Sequence, residues 1–154
     1  MVRTFVLLSS LLLPIFLIGQ NDSYENRMDY LFNKGYEHIY SNKDSALFYF
    51  EKIHTLAVSE EDWSSVADAL TGKNWLAEYE NDLRALNKNL AVIDSLFTTQ
   101  TSYFESLPEY ILYKNDLFYH KGQYYFLIND FEKARIEFNK ILEINTEPDD
   151  SEYS

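Results

Sequence analysis

The sequence predicts an all-α fold, a stack of about three antiparallel helical hairpins behind an N-terminal signal peptide, and three observations predict it. Apolar residues recur with a 3.6-residue period along nearly all of the chain after the first twenty residues. Short joins rich in Asn and Asp separate the apolar stripes in pairs. Helix breakers are scarce, with 4 Gly and 3 Pro set against 13 Tyr, 11 Phe and 2 Trp, and that balance favours long helices over a loop-rich or multi-stranded fold. No stretch shows the period-2 alternation of a half-buried strand; the Tyr and Phe of 107–127 have some β propensity, outweighed by the length of the segment and its start signal. At 154 residues, 46% of them hydrophobic, the chain suits one domain with a real core.

Residues 1–19 read as an address. Arg3 supplies a positive start, Phe5 to Ile18 form an apolar run, and Gly19 is a small residue before Gln20 and the polar Asn21-Asp22-Ser23. That order is the pattern of a secretory signal peptide, and the run is shorter than the ~20 residues that span a bilayer. The alternatives are an uncleaved anchor or a buried N-terminal helix. The ending Leu17-Ile18-Gly19-Gln20 resembles signal peptides of Bacteroidota-type bacteria, which implies a mature chain beginning at or near Gln20 in the periplasm or outside the cell. The chain has no cysteine, so a lipid-modified cysteine, disulfides and thiolate metal sites are excluded.

The helical domain is expected over 20–146. Its first helix carries Tyr24, Met28, Leu31 and Ile39, and its partner Ala46, Phe50, Ile53 and Ala57 after Asn42-Lys43-Asp44. The second pair carries Trp63, Val66, Ala67, Leu70 and Ala77, then Leu83, Leu86, Leu90, Ile93 and Phe97. The third carries Leu107, Ile111, Phe118, Gly122 and Tyr125, then Phe131, Ala134, Phe138 and Ile141. Ser106 and Glu109 have capping-box spacing, with Pro108 where the first helical turn needs no N–H. The joins within pairs are Tyr40 to Asp44, Glu80 to Asp82 and Ile128 to Asp130, and short joins make antiparallel neighbours. Residues 147–154 are acidic and aperiodic and read as a flexible tail, which leaves the last helix without a polar cap and its flank free for docking or self-association.

Laid over one another, the second helices repeat: Ala46, Leu86 and Ala134 fill one place, 40 and then 48 residues apart. In residues 115–148, Phe118, Gly122, Tyr125, Phe131, Ala134, Phe138 and Ile141 stand at the spacing of the tetratricopeptide consensus, and the chain resembles that family over roughly 24–146. The middle unit departs from it, with Asn74 and Leu86 at positions expected to be small, and Gly35 lies one place off in the first. The long, irregular period resembles repeats at the front of bacterial signalling proteins that carry CHAT protease or histidine-kinase domains. A sensor or ligand-binding part of such a protein is therefore the alternative to a free-standing binding module.

Catalytic groups are not recognisable. His38, His54 and His120 lack the partners of a zinc helix and read as surface or core-edge histidines. Glu60-Glu61-Asp62 reads as acids favoured at a helix start. Glu147, Asp149, Asp150 and Glu152 lack the glycine and spacing of a calcium loop. No phosphate-cradling glycine loop and no G-x-S-x-G motif is present. The expectation is a non-enzyme with no catalytic residues, no cofactor and no metal. The net charge is −12; loss of residues 1–19 removes only Arg3, leaving 12 basic against 25 acidic residues and a net charge of −13. Such a field repels nucleic acid and anionic membranes.

The family resemblance implies that the first helix of each hairpin lines a concave groove. By its spacing the groove residues are Asp68, Thr71, Trp75, Glu78 and Tyr79 in the middle unit and Asp116, Tyr119, Gln123 and Phe126 in the last. They read as an aromatic floor with an acidic rim, suited to a protein or peptide with apolar and basic residues. The bland alternative is that the aromatics are core between repeats.

Overall fold

The structure, a computed structural model, describes residues 23–146. The expected signal peptide, residues 1–19, and the acidic tail, residues 147–154, lie outside the described residues. Seven helices follow one another: α1 Tyr24–His38, α2 Lys43–Ser59, α3 Trp63–Tyr79, α4 Leu83–Thr99, α5 Thr101–Glu105, α6 Tyr110–Leu127 and α7 Phe131–Thr146. Among the described residues there is no strand, and no helix is long and apolar enough to cross a membrane. Each long helix packs on its chain neighbour, while α1 touches α3 and α3 touches α6. The helices α1, α3 and α6 therefore form one layer, with α2, α4 and α7 behind it.

Three of the turns are built alike. Glu61, Asn81 and Asn129 adopt left-handed backbone with φ of 56°, 54° and 64°. The next residue's N–H, from Asp62, Asp82 or Asp130, then reaches back to the carbonyl of Ala57, Ala77 or Tyr125 at 3.0, 2.7 and 2.9 Å. This closes a Schellman turn over the carbonyls that a helix end leaves unpaired. The same aspartates cap the following helix, accepting the N–H of Ser65, Ala85 and Lys133 at 3.1, 3.0 and 3.3 Å. Asn42 caps α2 and Ser23 caps α1 in the same way. Asn tolerates the left-handed position; Glu61 is the one β-carbon-bearing residue there without a short amide to ease it.

Between the second and third hairpins the structure corrects the sequence reading. Ser106 and Glu109 form no capping box: the Ser106 hydroxyl donates to the Tyr103 carbonyl at 2.7 Å, and α6 starts only at Tyr110, without a side-chain cap. Pro108 precedes the helix instead of occupying its first turn. The additional helix α5 takes up the chain that stretches the second repeat distance to 48 residues. It is a plug: Phe104 is fully buried, 4.6 Å from the Phe97 ring and 5.5 Å from Tyr113, and the Tyr103 hydroxyl accepts from the Ser64 N–H and donates to the Ser64 hydroxyl. On α6, Ile111 is 49% exposed and Leu117 is buried instead.

The expected core residues Leu70, Leu86, Leu90, Ile93 and Ala134 are buried. Phe50 is fully buried between two glycines: a β-carbon on Gly35 would lie 2.9 Å from its ring, and one on Gly72 would lie 2.3 Å away. Only glycine lets α1 and α3 close on the same ring. Phe138 repeats half of this arrangement. A β-carbon on Gly122 would lie 2.4 Å from its ring, but among the described residues no helix follows α7 to cover the other side. Phe138 is accordingly half-buried and Phe131 is 57% exposed, a correction to the expectation that Phe138 is fully buried.

Candidate functional site

The layer α1–α3–α6 brings most of the expected groove residues together. Trp75 of α3 lies 5.3 Å from the Tyr119 ring of α6 and 5.0 Å, edge to face, from His120. Gln123 lies one turn on from Tyr119 on α6. Tyr79 is 58% exposed and meets Tyr40, in the turn after α1, at 5.1 Å. Trp75 is 36% exposed, so its ring is neither free nor core: one side leans on His120 and the rest reaches solvent. Thr71 lies half-buried on the same helix. Phe126 stands apart, packed 5.6 Å from Phe131 at the turn into α7.

The two aspartates on this face act on each other. Burial first, then the charges of Asp116 and Asp62, push the Asp68 carboxyl up from the ordinary 3.8 to about 6, against an opposing hydrogen bond donated by the Tyr113 hydroxyl. Burial also raises Asp116, opposed by His120. No lysine or arginine contributes to either. Glu78, expected on the rim, is turned inward: its Oε1 lies 2.6 Å from Nδ1 of His120, a histidine with a side chain only 1% exposed.

Sequence reasoning missed Tyr36, Tyr40, Tyr113 and His120. Tyr36 of α1, with Ile39 and Tyr40 in the turn that follows it, joins Trp75 around a cavity of about 310 Å³. Burial, followed by the charges of Asp68 and Asp116, pushes the Tyr36 hydroxyl up to about 12, so Tyr36 connects the cavity to the acidic pair. A signal was present: Tyr36 and Tyr40 are four residues apart at the end of α1, as are Trp75 and Tyr79 on α3 and Tyr119 and Gln123 on α6. His120 read as isolated because its carboxylate, Glu78, comes from another helix, 42 residues away. Beside it Asn74, which replaces an expected small residue, is fully buried with neither amide atom hydrogen-bonded, and Nε2 of His120 is likewise without a protein partner.

The arrangement offers aromatic faces, two mutually repelling carboxylates and a cavity open to one layer of helices. Among the described residues no three potential metal ligands converge. Compared with family models, curated proteins and solved structures, the chain has no match.

Proposed function

We propose that this chain is an exported, non-enzymatic helical-repeat module of tetratricopeptide-like type whose α1–α3–α6 face binds an extended segment of a partner protein. The observation that carries the reading is the band of half-exposed aromatics across three helices, Tyr36 and Tyr40, Trp75 and Tyr79, and Tyr119, with Asp68 and Asp116 beside it. Aromatic side chains held at the surface by partial packing supply large contact area at low conformational cost, and such residues dominate binding energies. The surrounding negative charge favours a partner with basic residues and speeds encounter. The recurrence of the Schellman turn at three joins, and of a glycine–phenylalanine contact at Phe50 and Phe138, supports a stack of hairpins in which each covers the next.

The test is capture of the partner from envelope extract, followed by affinity measurement with variants. Tyr79→Ala and Tyr119→Ala should each weaken binding by about 1–2 kcal/mol or more, with little change in melting temperature for Tyr79, the most exposed of the α3 and α6 aromatics. Trp75→Ala should weaken binding and also cost some stability, because the ring leans on His120. Charge reversal at Asp116 should slow association in a salt-dependent way. Unchanged affinity in all three aromatic variants would sink the groove reading. Export is tested separately by N-terminal sequencing of the native protein: a start near Gln20 is expected, and a retained Met1 would replace export with anchoring.

A further inference from the structure

We propose that the aromatic-walled cavity between α1 and α3 is an anchor site for one basic side chain, an arginine or lysine of the bound segment, with its stem against Tyr36, Tyr40 and Trp75 and its cationic head at Asp68 and Asp116. The inference rests on the reading of this face as a peptide groove and names what the groove selects.

The cavity itself carries the inference. Three of its four walls are aromatic, and its volume of about 310 Å³ is at the lower end of small-ligand sites, ample for one long side chain. Aromatic faces attract cations through the ring quadrupole, more strongly where water is reduced. The direction of the stem follows from helix geometry. Asp68 and Trp75 are seven residues apart on α3, two turns or about 10 Å along one face. Tyr36 lies within reach of both ends, since it lines the cavity beside Trp75 and feels the charges of Asp68 and Asp116. A flexible basic side chain spans that distance, whereas a short polar one does not.

The charge balance points the same way. No lysine or arginine is among the charges that act on Asp68 or Asp116, and the charge of Asp116 already opposes ionisation of Asp68, so an arriving cation relieves a repulsion that is already in place. An anionic ligand would add to it, and a neutral apolar side chain would fill the cavity and leave it unrelieved. Guanidinium and ammonium groups bring donors and no acceptors, the complement of two carboxylates.

The probes are three blocked tripeptides, Leu-Xaa-Leu with Xaa as arginine, lysine or the neutral arginine isostere citrulline, titrated into the purified protein while the indole N–H resonances of Trp75 and Trp63 are followed. The arginine and lysine peptides should shift Trp75 and leave Trp63 in place, and the citrulline peptide should bind about tenfold or more weakly. In Asp116→Asn, an exposed position that does not endanger folding, and in Asp68→Asn, that discrimination should largely vanish. Equal binding of the arginine and citrulline peptides at Trp75 would overturn the cation site while leaving the groove intact. No shift of Trp75 with any of the three would overturn both readings.

Discussion

Phe50 and Phe138 occupy the same place in two hairpins, so truncating each measures what a covering helix contributes. Phe50 is fully buried, and the atoms around its ring include the backbones of Gly35 and Gly72, with Tyr36 edge-on at 5.3 Å. Phe→Ala in a core costs about 3–5 kcal/mol, more where the surroundings cannot collapse. Glycine has no side chain to move into the space, so Phe50→Ala should fall in the upper half of that range, roughly 4–5 kcal/mol. Phe138 keeps Gly122 on one side but faces solvent on the other among the described residues; water occupies much of what the ring leaves, and the cost should be about 2 kcal/mol. Urea denaturation followed by far-UV circular dichroism gives both values, and Trp fluorescence from the middle hairpin tests whether the array unfolds as one unit. With domain stabilities of about 5–15 kcal/mol, Phe50→Ala should leave the protein close to unfolding at body temperature and Phe138→Ala should not. Equal losses at the two sites would refute the covering-helix account, as would a loss at Phe50 below about 2 kcal/mol.

Gly72→Ala should destabilise by roughly 1–3 kcal/mol, because the new β-carbon would sit 2.3 Å from the Phe50 ring and overpacking exceeds the gain in helix propensity; in a Phe50→Leu background the same substitution should cost much less, and a purely additive double mutant would contradict the contact. Glu61→Gly should stabilise by about 0.5–1 kcal/mol, since Glu61 holds φ of 56°; a destabilised variant in thermal melts would show that the Glu61 side chain contributes more than its backbone costs. Asp68 provides a pH test. Its carboxyl is raised from 3.8 to about 6 in the folded chain, so the folded state binds more protons than the unfolded one across that interval, and this group's contribution to stability falls as pH rises from about 4 to about 6. Discounted for the solvent the carboxyl still meets, the loss is roughly 1–2 kcal/mol. Asp68→Asn should therefore stabilise the protein at pH 7.5 and do little at pH 4; equal effects at both pH values, read from urea midpoints, would contradict the raised carboxyl.

What the sequence made legible was written inside single elements. The stripes Leu86, Leu90, Ile93 and Ala46, Phe50, Ile53 lie on one helix each, and burial follows from their own period. The turns were legible too, because Asn and Asp at 81–82 and 129–130 are chemically suited to the left-handed position and the cap that follows it. The start of α6 was not: Ser106, Pro108 and Glu109 satisfy a local rule, and a tertiary contact overrides it. Phe104 is drawn between Phe97 and Tyr113, which fixes α5 and leaves Ser106 bonded back to Tyr103. The site was legible by halves for the same reason. Trp75, Tyr79 and Tyr119 could be placed by the spacing together with the groove that the tetratricopeptide resemblance implies, but Tyr36 and Tyr113 belong to the site only because α1 and α6 flank α3, and no period within one helix encodes that.

The middle hairpin shows how a repeat tolerates the loss of its own consensus. At the place where Gly122 admits Phe138, the middle unit has Asn74, and where Ala134 stands it has Leu86. Both substitutions would separate two helices that rely on small residues at their crossing. The structure moves the close approach by two residues: Gly72, not Asn74, receives a ring, and that ring is Phe50 from the preceding hairpin. The tight contact thus lies between hairpins as well as within them, and Leu86 and Asn74 are both fully buried. The amide of Asn74 meets no hydrogen-bonding group of the protein. A further consequence reaches the candidate site. Because Gly72 lets α1 settle against α3 over Phe50, Tyr36 and Tyr40 come level with Trp75 and Tyr79, and the cavity exists. A side chain at 72 would push α1 away and open that wall, so Gly72→Ala should weaken binding of the arginine tripeptide as well as stability, while Gly122→Ala, acting on α7 behind the other end of the layer, should reduce stability alone. Binding unchanged in Gly72→Ala protein that remains folded would separate the cavity from the packing that is argued to form it.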